Sequence, residues 1–130
     1  QEIFYGDNVV TYLSLHRHTN YPGTGARSEL NCINHPLPPD CGDAFYLETL
    51  EGALEKLDMP RYEVVAVSAG FDTHAGDLAS LGLSSQAYGV IGQKIGRLGK
   101  PTFFVLEGGY RGEDVGNDID NLLKGFEAEQ

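Results

Sequence analysis

Two short segments of this 130-residue sequence hold most of the residue types that could do chemistry. The first reads Ser68-Ala69-Gly70-Phe71-Asp72-Thr73-His74-Ala75-Gly76-Asp77, and the second Glu107-Gly108-Gly109-Tyr110. Asp72 directly follows an apolar run. A carboxylate that leaves a buried strand needs a partner, because an unpaired charge taken out of water is costly. A metal ion is one such partner, since zinc accepts Asp oxygen beside His nitrogen. A loop cap or a nearby Arg is another. His74 reads either as a ligand or as a loop histidine bonded to backbone, and Asp77 as a loop cap. Tyr110 offers a phenolic hydroxyl that can donate or accept a hydrogen bond. It equally suits a half-buried aromatic with its hydroxyl satisfied. Gly108 and Gly109 allow a tight turn and a close approach of backbone to a ligand. The same pair suits a phosphate-binding loop, although no Lys or further Gly-rich pattern follows at the P-loop spacing.

The surrounding elements must bring these segments together. Residues 9–15 are β-branched and aromatic and predict a strand. Residues 16–42 read as loop, with Tyr21-Pro22-Gly23-Thr24-Gly25 and four prolines in all; so long an aperiodic stretch in a small domain is often functional. From Asp43 the pattern turns helical, with Ala44, Leu47, Leu50, Leu54 and Leu57 on one face and Pro60 at its close. Residues 64–71 form a nearly continuous apolar run, which predicts a strand buried on both sides. The next helix is capped by Ser84, carries Tyr88, Ile91, Ile95 and Leu98, and stops at Gly99 and Pro101. Residues 102–106 predict another strand. Val115, Ile119, Leu122, Leu123 and Phe126 mark a last amphipathic helix. This alternation predicts a three-layer α/β fold: a mostly parallel sheet with helices on both faces. Ligands in such sheets gather at the carboxyl ends of strands, so parallel strands would put Asp72 and Tyr110 on one rim. No internal repeat or domain boundary interrupts residues 1–130.

Composition narrows the function classes. Hydrophobic residues make up 41% of the chain, enough to build a core. The net charge of −10 argues against a nucleic-acid surface. It suits basic partners such as lysine-rich tails or polyamines, and equally serves solubility. Cys32 and Cys41 are too few for a disulfide scaffold and match no common zinc spacing, so both read as reduced thiols of a cytoplasmic protein. No apolar run approaches the ~18 residues of a membrane span, and no signal peptide is read. The first residue is Gln1 rather than Met, which hints at a natural chain that starts earlier.

Taken together, Ser14-Leu15-His16, Tyr21-Pro22-Gly23-Thr24-Gly25, Ala69-Gly70-Phe71-Asp72 and Leu106-Glu107-Gly108-Gly109-Tyr110 resemble the second half of the histone deacetylase and acetylpolyamine amidohydrolase superfamily domain. The segments appear in the family's order, at about its spacing, across essentially the whole chain. The resemblance implies an arginase-like α/β fold and zinc-dependent removal of acetyl groups from acetyl-lysine or acetylpolyamines. It implies Zn2+, with Fe2+ as the other candidate metal, and K+ as a structural ion. By matching position, Asp72 is implied as a zinc-binding aspartate and Tyr110 as the catalytic tyrosine. Tyr21 matches an aromatic wall of the substrate tunnel, Gly109 lets the Tyr110 loop close, and Ser14 and Leu15 lie near the monovalent-cation site. His74 matches no zinc ligand. The family's other zinc ligands and its His-His pair precede the segment seen here, and none of His16, His18, His35 or His74 sits at a matching position. The resemblance therefore implies the C-terminal part of a single catalytic domain, incomplete at its N-terminal side and inactive without the remainder. The alternative is a non-catalytic remnant that serves as a binding or assembly module. Where many members have Asp-Pro-Leu, this chain has Asp77-Leu78-Ala79, which leaves substrate choice at the tunnel lip open.

Overall fold

Parallel pairing organises the strands in the computed structural model, which describes residues 1–18 and 21–130. The elements run β1 (Tyr12–Arg17), β2 (Cys32–Leu37), α1 (Gly42–Leu54), β3 (Val65–Ala69), α2 (Ser85–Gly96), β4 (Thr102–Leu106) and α3 (Gly112–Glu127). Short 3₁₀ turns cover Glu2–Phe4 and Met59–Arg61. The α/β class expected from the alternating pattern is the one observed. The strands form two parallel pairs: β1 runs beside β2 from Tyr12↔Cys32 to Arg17↔Leu37, and β3 beside β4 from Val65↔Thr102 to Ala69↔Leu106.

Three elements differ in detail from the sequence reading. β2 lies inside the stretch read as loop. Asn34, His35 and Pro36 have little strand preference of their own, so pairing with β1 and the inward turn of Cys32, Asn34 and Leu37 decide the conformation. β1 starts and ends later than residues 9–15. α1 stops at Leu54, leaving Leu57 in the following turn and Pro60 in the Met59–Arg61 turn, where its missing N–H does no harm.

The run over residues 64–71 is also not buried on both sides. Val67 and Ala69, with Phe104 of β4, face the helices and the core, whereas Val64, Phe103 and Val105 are 53%, 52% and 46% exposed. One face of the β3–β4 pair is thus covered by this chain's own helices and the other stays open.

The helical layer is held by close backbone approach and by capping. A Cβ on Gly92 of α2 would run into the Leu122 carbonyl of α3, and one on Gly125 of α3 into the Gly89 carbonyl of α2. At the α2 N-terminus the Ser84 hydroxyl oxygen accepts from Ala87 N, as the sequence predicts. The Ser84 N–H and hydroxyl in turn donate to the two oxygens of Asp43 at 2.8 and 2.6 Å, which ties the starts of α1 and α2 together. Leu81 and Leu83 are fully buried, so the long connection from β3 to α2 is rooted in the core at its far end. Both cysteines are free thiols, Cys32 buried and Cys41 partly so. Among the described residues no helix is long and apolar enough to cross a membrane.

Candidate active site

Because β3 and β4 end in register at Ala69↔Leu106, the two chemistry-bearing loops leave the same edge. Glu107 N donates to the Ala69 carbonyl at 3.0 Å and Phe71 N to the Gly108 carbonyl at 2.7 Å, carrying the pairing past the strand ends. Asp72 then lies directly over Gly108. A Cβ at position 108 would sit 2.7–2.8 Å from the carboxyl carbon and both oxygens of Asp72, so a larger residue there would push this carboxylate from its place. Gly109 has φ +142° and would place a Cβ 3.0 Å from Phe71 Cβ and 3.1 Å from Val115 Cγ2. Conformation and space both select glycine there.

Asp72 is half-buried. Burial pushes its pKa up, its own backbone N–H pulls it down, and the charge of Asp77 raises it further. Among the described residues no cation faces it. A desolvated carboxylate without a cationic partner suits one metal ligand. It does not complete a site, since among the described residues no group of three or more His, Cys, Asp or Glu could hold a metal ion. The Gly-Gly pair does not suit a phosphate, because the Asp72 carboxylate lies against Gly108 and would repel an anion.

The loop under Asp72 is fixed at several points. His74 Nδ1 lies 2.8 Å from Asp118 Oδ2, and Asp118 is fully buried on α3. The hydroxyl of Ser85 donates to the other Asp118 oxygen at 2.6 Å. His74 therefore bonds through its ring to a carboxylate of α3 rather than to backbone. The buried Tyr88 hydroxyl meets Thr73 Oγ1 at 2.9 Å and donates to the Phe71 carbonyl at 3.3 Å, and burial holds its pKa well above the usual tyrosine range. Asp77 spans the two loops. Its Oδ2 accepts from Tyr110 N at 2.9 Å and Arg111 N at 3.1 Å, and its Oδ1 from Leu78 N at 2.6 Å. Tyr110 itself is 67% exposed at the rim.

The structure thus gathers Asp72, Gly108, Gly109 and Tyr110 at one edge. Ser14 and Leu15 belong to the other strand pair: Ser14 Oγ lies 3.0 Å from His16 Nδ1, His16 Nε2 lies 3.1 Å from the Gly25 carbonyl, and Leu15 packs on the core. Burial holds the His16 pKa down. Tyr21 is almost wholly exposed, and among the described residues no contact joins it to Asp72 or Tyr110. Sequence reasoning passed over Asp118 and the reach of Asp77 to Tyr110. The signal for Asp118 was available, because it falls on the same helix face as Val115 and Leu122, where a carboxylate is out of place.

Comparison with known proteins identifies the family and the fold. Residues 1–126 match the family model of the histone deacetylase domain. The chain is 33% identical over 140 residues to acetylpolyamine amidohydrolase 2 of Pseudomonas aeruginosa, covering 98% of this chain and 40% of that protein. It is 29% identical over 146 residues to the chloroplastic histone deacetylase 14 of Arabidopsis thaliana, covering 98% of this chain and 34% of that protein. Among solved structures it superposes on the acetylpolyamine aminohydrolase of Burkholderia pseudomallei with a TM-score of 0.88 at 32% identity, covering 99% of this chain and 41% of that one. The chain therefore spans about 40% of the length of the relatives it matches.

Proposed function

The chain belongs to the histone deacetylase domain family, and from that premise we propose that it is the C-terminal part of a metal-dependent amidohydrolase domain that removes acetyl groups from acetyl-lysine or acetylpolyamines. The observation that carries this reading is the placement of Asp72 and the Tyr110 loop at one edge of a parallel strand pair. Zinc, or ferrous iron in its place, would be held by Asp72 together with ligands from the rest of the domain, and would supply Lewis-acid polarisation of the acetyl carbonyl and activation of water. Tyr110 contributes a hydroxyl that donates toward the carbonyl oxygen, where negative charge develops during attack. Gly108 leaves room for Asp72, and Gly109 lets the backbone just before Tyr110 pass close to Phe71 and Val115. Tyr21 would serve as a wall for the acyl chain, and Ser14 and Leu15 would lie near a structural K+. The net charge of −10 favours cationic substrates through long-range attraction. The free thiols fit a cytoplasmic setting.

On this reading the 130 residues are inactive alone. One carboxylate is a poor metal site, and the loss of acid–base groups costs typically ~10²–10⁴ in rate. A zinc titration of the chain and of Asp72→Ala tests this. Weak binding that the substitution hardly changes is expected, with both metal and deacetylation lost from Asp72→Ala in the full-length protein. Tight stoichiometric binding by the 130-residue chain, or turnover by it, would refute the half-site reading. The exposed Phe103 and Val105 favour a second reading, a non-catalytic module that assembles through this face. A full-length protein inactive toward both substrate classes would support it.

A further inference from the structure

We infer that Asp77 is a positioning residue for Tyr110: its carboxylate pins the backbone of the Tyr110 loop to the loop that carries Asp72. The inference rests on the reading of the site given above. Tyr110 is exposed and follows two glycines, so its own segment does little to fix it. The fixing contact comes from the other loop, where Asp77 Oδ2 accepts both Tyr110 N at 2.9 Å and Arg111 N at 3.1 Å. Leu78 N holds the other carboxylate oxygen at 2.6 Å and so sets its orientation.

Asp77 is itself well anchored. Its N–H donates to the His74 carbonyl at 3.1 Å, and Ala79 N donates to the Asp72 carbonyl at 3.1 Å. The His74 ring is bolted to the buried Asp118. Arg111 precedes α3 and has no side-chain cap of its own, so the Asp77 carboxylate also sits at a helix N-terminus, where negative charge is favoured. One loop thereby sets the place of both groups at the rim: Asp72 directly, and Tyr110 through its backbone.

A role limited to capping α3 would weaken the fold without regard to Tyr110; a positioning role must act through it. The test uses the full-length protein. In Asp77→Ala, kcat is expected to fall by about 10–100-fold, since small misplacements of a reacting group carry losses of that order. KM should stay within about twofold and bound metal should match wild type. Hydrogen exchange in the 107–111 segment should quicken. Asp77→Asn keeps one acceptor oxygen and should recover part of the loss. In a Tyr110→Phe background, Asp77→Ala should cost less than about twofold more, the non-additivity of residues that work as a unit. An equal loss in both backgrounds, or unchanged exchange at 107–111, would overturn the inference. An inactive wild-type protein would refute the proposed function instead, and the exchange measurement would still decide the role of Asp77.

Discussion

Asp77 and Asp72 are carboxylates five residues apart with opposite electrostatic settings. Asp72 is pushed up by burial and by its acidic neighbour. For Asp77 burial works upward too, but the N–H groups of Tyr110, Leu78 and Arg111 and the Arg111 charge together bring it below the ordinary 3.8. Its folded value thus lies under its unfolded one. The clamp on Tyr110 is complete above the ordinary value and is lost as pH falls through the depressed one. Amide shifts of Tyr110 and Arg111, followed through an acid titration, should move with a midpoint under 3.8. A midpoint at or above it would mean that the carboxylate does not hold these amides. The sequence showed Asp77 as a loop cap, and so it is; that the loop it caps is also the second one depended on a contact 33 residues away.

Among the elements, α2 and α3 depend most on a single residue type. Gly92 leaves no room for even a methyl group against the Leu122 carbonyl. Gly92→Ala should force the helices apart and lower stability by roughly 1–3 kcal/mol, the usual cost of overpacking. Urea unfolding of the full-length protein measures this, and a change under about 0.5 kcal/mol would mean that the helices slide without penalty. α2 was legible because its signals are local: the Ser84 cap, the spacing of Tyr88, Ile91 and Ile95, and the stop at Gly99 and Pro101. β2 was not, because its residues favour loop and only β1 makes them a strand. The 64–71 run was legible as a parallel strand but not as a half-covered one, since an apolar sequence does not say what lies over it.

For the whole molecule, the function proposed above requires the open face of the β3–β4 pair to meet the rest of the domain. Phe103 and Val105 offer apolar surface that further chain would cover. If so, Phe103→Ser should destabilise the full-length protein by about 3 kcal/mol, as for a large core side chain lost. A cost within about 0.5 kcal/mol of zero, as for a surface position, would show that this face stays in water. The sequence by itself determined the α/β class, the order of most elements, the two glycine-bearing loops and the family. These rest on short-range periodicity, caps and motifs, which a linear chain displays. Only the tertiary structure decided that Asp77 holds Tyr110, that His74 is bound to Asp118, and which face of β3 and β4 is open. Those partners lie 33 and 44 residues apart. A side chain's type limits what it can bond, but its actual partner is chosen by the packing that brings distant segments together.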